Sequence, residues 1–186
     1  MDERDGRLNE PHVKPLMDLV SRLRSRWDSG VPNVDPNDGG VNAKVLFLSE
    51  TPGPKAVKSG YVSRDNGDPS AQHAGEALDS AGFPRSDYVR WNVVPYYVST
   101  EDKNANATPR QIHAAADATQ AFIGLLRNLR VVVFCGLQAH KAIPDLVLPP
   151  GVQTLATYHC GAMSWNQARC RKHILETFKR ARELAT

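Results

Sequence analysis

Apolar positions recur at helical spacing near the start of the chain, at Val13, Leu16, Val20, Leu23 and Trp27, which predicts an amphipathic first helix. The stretch DSGVPNVDPNDGG, Asp28 to Gly40, is dense in turn formers and predicts a connecting loop. Four short apolar runs then appear, Val45 to Leu48, Tyr88 to Val94, Val131 to Cys135 and Val152 to Thr157, each the length of a strand. Helical segments lie between and after them. Ser70 to Ala81 stops at Gly82; Leu137 to Ile143 ends at Pro144; a last helix from about Gln167 puts Ile174, Phe178, Ala181 and Ala185 on one stripe. Thr108-Pro109-Arg110-Gln111 is a capping box, with proline at the first helical position, before a run to about Arg127.

Strands alternating with helices need crossover connections, so the pattern predicts an α/β fold: a three-layer α/β/α sandwich around a central, mostly parallel four-stranded sheet. In such sheets ligands bind beyond the carboxyl ends of the strands. The residues found there are Ser49-Glu50-Thr51-Pro52-Gly53, Asn92 to Tyr96, Gly136-Leu137-Gln138 and Tyr158-His159-Cys160-Gly161. Polar chemistry is concentrated at these strand ends.

Composition narrows the classes. A chain of 186 residues with 41% hydrophobic content has the size and balance of one globular domain. It divides into an N-terminal helix and loop (1–43), a core (44–164) and a C-terminal basic helix (165–186). No apolar run approaches the ~18 residues of a membrane span, and the charged start MDERDGRLNE lacks a signal-peptide segment, so a cytoplasmic location is expected. Cys135, Cys160 and Cys170 are odd in number and have no CxxC spacing, which argues against a disulfide framework, a zinc site or a four-thiolate cluster. The net charge of +3 says little, but Arg169, Arg171, Lys172, Lys179, Arg180 and Arg182 give the end of the chain a basic face that is either a solvated helix surface or a phosphate contact.

The strand-end segments, taken in order, resemble the uracil-DNA glycosylase superfamily. SETPGP is similar to the active-site loop after the first strand, SGYVSR to the segment bearing a base-stacking aromatic, and WNVVPYY to the strand ending in a base-reading asparagine. VVVFCGLQAHKA is similar to the third core strand and its helix, and YHCGAMS to the histidine loop usually written H-P-S-P-x-S. The similarity runs from about Lys44 to Ser164. It has departures: Ser49 stands where the loop has its first glycine, Thr51 where several families carry a catalytic Asp or Asn, and Cys160-Gly161-Ala162 where Pro-Ser-Pro is usual. Glu50 matches the glutamate of the iron–sulfur families, whose cysteines are missing here, and Pro54 resembles the N-P-G-P loop of the single-strand-selective monofunctional enzymes.

The resemblance implies a monofunctional DNA repair glycosylase that flips uracil out of DNA and hydrolyses its N-glycosidic bond, leaving an abasic site. No cofactor or metal is implied, and a monomer acting on uracil-containing DNA is expected. His159 becomes the donor to the base oxygen as negative charge develops, Glu50 the group that positions water or stabilises the sugar cation, and Thr51 a water holder. Asn92 carries the amide that matches uracil's N3–H and O4. Tyr61 becomes the stacking aromatic. Gly53 replaces the tyrosine that crowds C5, which leaves room for bases altered there or for other deaminated bases. Met163 falls at the intercalating position with Trp165 two residues on, and Arg169, Arg171 and Lys172 lie where flanking phosphates would be held.

Each residue also has a plainer reading. Glu50 as a cap on backbone N–H groups of the Pro-Gly turn, Asn92 as a turn residue, His159 as a polar strand end, and Tyr61, Met163 and Trp165 as packing groups are all compatible with the sequence. Asp65 and Asp68 are candidate replacements for the missing carboxylate, Asp68 equally a turn residue leading into a helix. Two other functions compete: a nucleic-acid-binding module of the same fold with lost catalysis, and a Cys–His hydrolase using Cys160. The second is disfavoured because adjacent residues of an extended segment point to opposite sides.

Overall fold

The chain, seen in a computed structural model that describes residues 2–27, 30–100 and 105–186, follows the predicted alternation. In order it forms α1 (Lys14–Arg26), β1 (Asn33–Val34), β2 (Val45–Ser49), α2 (Pro54–Ser59), β3 (Tyr61–Val62), α3 (Pro69–Ser80) and β4 (Tyr88–Asn92). It continues with α4 (Pro109–Ala114), α5 (Ala116–Gly124), β5 (Val131–Cys135), α6 (Leu137–His140), β6 (Gln153–Thr157), α7 (Ala162–Trp165) and α8 (Ala168–Leu184). Strands β4-β2-β5-β6 form one four-stranded sheet in that order, and every pairing is parallel. All four strands therefore deliver their carboxyl ends to one edge, and the order turns back beside β2, where a crevice is expected.

The period of two along each strand sorts side chains into two cores. Leu46, Leu48, Val89, Trp91, Val132 and Phe134 pack on one face against α1 and α5; Val45, Phe47, Tyr88, Val131 and Val133 pack on the other against α3 and α8. Arg90 and Asn92 alternate with Val89 and Trp91, so they share the face of Phe47 and Tyr88. The capping box forms as read, with Thr108 Oγ1 accepting from the Gln111 N–H. The long helix expected after it is instead interrupted at Ala115, whose N–H is shared among the carbonyls of Gln111, Ile112 and His113.

The stretch expected to be only a connecting loop also departs from expectation. Residues 28 and 29 lie outside the described residues, but Asn33–Val34 pairs in parallel with Tyr61–Val62, and Asp35 and Asp38 are buried. Arg85 bridges Asp35, Asp38 and Asp65, while Ser63 Oγ and Arg4 also donate to Asp35. Buried charges persist only when paired in this way. Asp38 Oδ2 nonetheless lacks a partner among the described residues, and burial, reinforced by Asp35, pushes the Asp38 carboxyl up to about 7. An unfolded aspartate titrates near 4. Between those values the folded protein holds a proton that the unfolded chain has lost, so this contribution is complete below about pH 4 and is lost as pH rises through about 7. Melting of wild type and Asp38→Asn between pH 5 and 8 is expected to shift in favour of the variant as pH rises, by ~2–4 °C for each kcal/mol. A pH-independent difference would refute this.

Candidate active site

Backbone bonds carry the sheet one step past its strands. Val93 N–H donates to the Ser49 carbonyl and Val94 N–H to that of Glu50, each at 2.9 Å, which holds the loop after β2 beside the end of β4. A cleft of about 300 Å³ opens there, and Glu50, Thr51, Gly53, Asn92 and His159 all line it. Pro52, Gly53 and Pro54 line its wall, and Pro54 also opens α2. A Cβ at Gly53 would meet nothing within 4 Å among the described residues, so the wall is open at that point.

Glu50 is half-buried. Its Oε1 accepts the backbone N–H of Ala107, from the segment before α4 rather than from the adjoining Pro-Gly turn, while Oε2 has no protein partner among the described residues. Burial pushes its pKa above the ordinary glutamate value, against the lowering effect of the Ala107 N–H and Lys141. Thr51 Oγ1 donates to the Pro52 carbonyl at 3.2 Å.

His159 reaches the opposite wall from the loop after β6. Gly161 N–H donates to its Nδ1 at 3.1 Å. A backbone N–H only donates, so Nδ1 is the acceptor and the neutral ring carries its proton on Nε2. The ring edge is open to the cleft, yet the protein around it withholds water. That desolvation, with the charge of Arg90, lowers its pKa below the ordinary histidine value; Asp68 opposes them. Gly136, at φ +99°, packs against the base of His159, since a Cβ there would lie 3.0 Å from the His159 Cβ.

Asn92 closes β4 with only 3% of its surface exposed, and its Nδ2 has no hydrogen-bond partner among the described residues. An orphaned buried donor costs ~1–3 kcal/mol until something accepts from it. Arg90 and Tyr97 also line the cleft, though neither is singled out by the motif comparison. A signal for Arg90 was available: it stands two residues before Asn92, and two residues along a strand is the same face.

Other expected site residues lie elsewhere. Tyr61 is buried at 1% exposure; its hydroxyl donates to Asp5 Oδ1 at 2.6 Å and Arg4 lies 4.0 Å over its ring. It faces away from the cleft because Val62, the next residue along β3, faces it. Trp165 is a packing group, 7% exposed and stacked on His73 with ring centroids 4.7 Å apart. Met163, by contrast, is 84% exposed on α7, and Arg169, Arg171 and Lys172 are exposed on the first turns of α8. Asp65 is taken by Arg85, whereas Asp68 caps α3 through the Ala71 N–H and lines the cleft. Burial pushes the Cys160 thiol up to about 11, so it is not the thiolate a Cys–His hydrolase requires. Among the described residues no cluster of three or more His, Cys, Asp or Glu side chains is arranged to hold a metal ion.

The fold is similar to that of wild-type SMUG2 from Pedobacter heparinus, with a TM-score of 0.52 at 11% identity, over 94% of this chain and 85% of that one. No curated protein sequence matches the chain. The family model for the uracil DNA glycosylase superfamily matches residues 36–182, a span that contains the loop after β2, the end of β4 and the histidine loop. The chain therefore belongs to the uracil DNA glycosylase superfamily, whose members are hydrolytic glycosylases that act on DNA.

Proposed function

We propose that the protein is a monofunctional glycosylase that removes uracil from DNA after flipping the nucleotide into the cleft. The observation that carries this reading is the pair of donors on one cleft, the unpartnered buried amide of Asn92 and the Nε2–H of His159. Uracil offers O2 and O4 as acceptors and N3–H as a donor, and an asparagine amide satisfies the last two together, whereas cytosine presents the reverse pattern. As the glycosidic bond breaks, negative charge spreads over the base and positive charge over the sugar. A neutral histidine already holding its proton on Nε2 stabilises the first without reorganisation. Glu50, ionised, stabilises the second and orients the water that attacks C1′. Thr51 supplies a hydroxyl to that water but no charge.

Tyr97, half-buried on the cleft, takes the stacking role in place of Tyr61. Met163, the most exposed large apolar side chain among the described residues, enters the base stack as the wedge, and Arg169, Arg171 and Lys172 hold the neighbouring phosphates. The open space at Gly53 favours tolerance of bases altered at C5 or otherwise deaminated.

Single-turnover release of free base from single- and double-stranded oligonucleotides tests this, with uracil and a panel of C5-substituted and deaminated bases. Wild type is expected to release uracil and at least one further base. Glu50→Gln is expected to slow release by ~10–100-fold. The raised pKa of Glu50 sets the sign of the pH profile: wild-type activity falls on acidification at a higher pH than an ordinary glutamate would give, and the variant loses that limb. Tight binding of the uracil oligonucleotide with no base released would instead favour the binding-module reading, which Thr51 motivates. Cleavage of uracil alone would rule out the role given to Gly53.

A further inference from the structure

Arg90 has no evident structural employment. It sits in the middle of β4, in register with Phe47, where an apolar residue would serve the core. Its Nη1 is fully buried without a hydrogen-bond partner, and no ion pair to Arg90 forms among the described residues. Asp38, the carboxylate whose ionisation Arg90 eases, is hydrogen-bonded to Arg85 instead. Arg90 as a whole is half-buried, but a guanidinium nitrogen buried without an acceptor is costly, and such groups are rare unless something outside the protein completes them.

Its surroundings identify the missing partner. Arg90 lines the cleft on the same face of β4 as Asn92, one strand repeat or ~7 Å deeper. It also lines a smaller adjoining cavity of about 20 Å³, bounded by Phe47, Cys135, Cys160 and Phe178, and His159 borders both. The side chain therefore borders both the cleft and the cavity beside it from a strand of the sheet, away from the exposed first turns of α8 where phosphates would be held. A cation beside His159 also disfavours imidazolium, which keeps the histidine neutral with its proton on Nε2.

We propose that Arg90 is a catalytic residue of the base-excision reaction: its unpaired guanidinium donates to the departing base and stabilises it as an anion, together with His159. This rests on the base-excision reading above. The N1–C1′ bond breaks with its electron pair passing to the base, and water supplies hydroxide to C1′ and loses its proton to Glu50 or solvent. Arg90 transfers no proton. It neutralises charge that exists only as the bond opens, so its contribution falls on the chemical step.

The test compares uracil with 5-fluorouracil, whose anion is intrinsically more stable, in single-turnover release by wild type, Arg90→Gln and Arg90→Lys. Arg90→Gln is expected to slow uracil release by ~10²-fold with oligonucleotide affinity nearly unchanged. The defect is expected to shrink with 5-fluorouracil, and Arg90→Lys, which keeps the charge, to recover part of the rate. The His159 pKa, followed by NMR, is expected to rise in Arg90→Gln. Equal defects for both bases with weakened oligonucleotide binding would make Arg90 a phosphate contact and overturn the proposal, as would undiminished release by Arg90→Gln. Should Arg90→Gln fail to fold, Arg90→Lys decides alone: a slower rate whose defect is smaller for 5-fluorouracil supports the proposal, and wild-type rates with both bases overturn it. A wild type that releases no base would overturn the base-excision reading itself, an outcome distinct from a failure of Arg90 alone.

Discussion

Replacing His159 by alanine is expected to slow uracil release by ~10²–10⁴-fold while leaving the fold intact. The ring lies on the open edge of a cleft, makes one backbone hydrogen bond, and contributes little to either core. Its loss should therefore cost little stability. The loss in rate is large because the donor is prepared in advance: Gly161 fixes the tautomer, Gly136 leaves room for the backbone and Cβ that carry the ring, and desolvation with Arg90 keeps it neutral. The lowered pKa gives a direction for the pH dependence as well. Activity carried by the neutral ring persists as pH falls through the ordinary histidine range, near 6.5, and declines only below it. Single-turnover release as a function of pH, with thermal melting as a control for folding, measures both. An alanine variant that folds and releases uracil within threefold of the wild-type rate would remove His159 from the mechanism.

Asn92→Ala is expected to reduce uracil release by ~10²–10³-fold and to move stability the other way, or not at all. Nδ2 is buried without a partner in the free protein, a cost of ~1–3 kcal/mol that an accepting base would relieve. Removing the amide removes that cost along with the ability to read the base, so a functional residue here is a stability liability. The small void left behind offsets part of the gain. Melting temperature and release rate measured on the same preparation separate the two effects. A large drop in melting temperature with a matching loss of activity would mean that Asn92 is a structural residue.

Much of this arrangement is legible in local sequence. The apolar runs beginning at Val45, Tyr88, Val131 and Val152 identify the strands to within a residue or two at either end, because a buried parallel strand has to be short and apolar. The cap at Thr108 and the left-handed Gly82 after α3 mark helix limits through their own backbone chemistry. Once the strands are located, the rule that ligands meet parallel sheets at their carboxyl ends brings Glu50, Asn92 and His159 to one place. The structure does gather those three on one cleft.

What the sequence conceals are relations between side chains far apart in the chain. Tyr61 and Tyr97 are equivalent as aromatic residues in loops. Only the pairing of β3 with β1 and the reach of Asp5 turn Tyr61 inward, and only the packing of Tyr96 on Trp27 accompanies Tyr97 to the cleft. Trp165, two residues from the exposed Met163, is withdrawn by His73 from another helix. The same holds for Glu50, whose partner Ala107 is 57 positions away.

By itself, then, the sequence determined the order of the elements, the parallel sheet and the residues delivered to its functional edge, because strand period, helix caps and crossover topology are properties of neighbouring residues. Tertiary structure alone decided which of those residues are already satisfied and which are left wanting a partner. Asp65 is claimed by Arg85 and Tyr61 by Asp5, while Nδ2 of Asn92 and Nη1 of Arg90 find no partner among the described residues. Hydrogen bonding and charge pairing are settled across space, so the unmet donors that mark the site emerge only when the chain is folded.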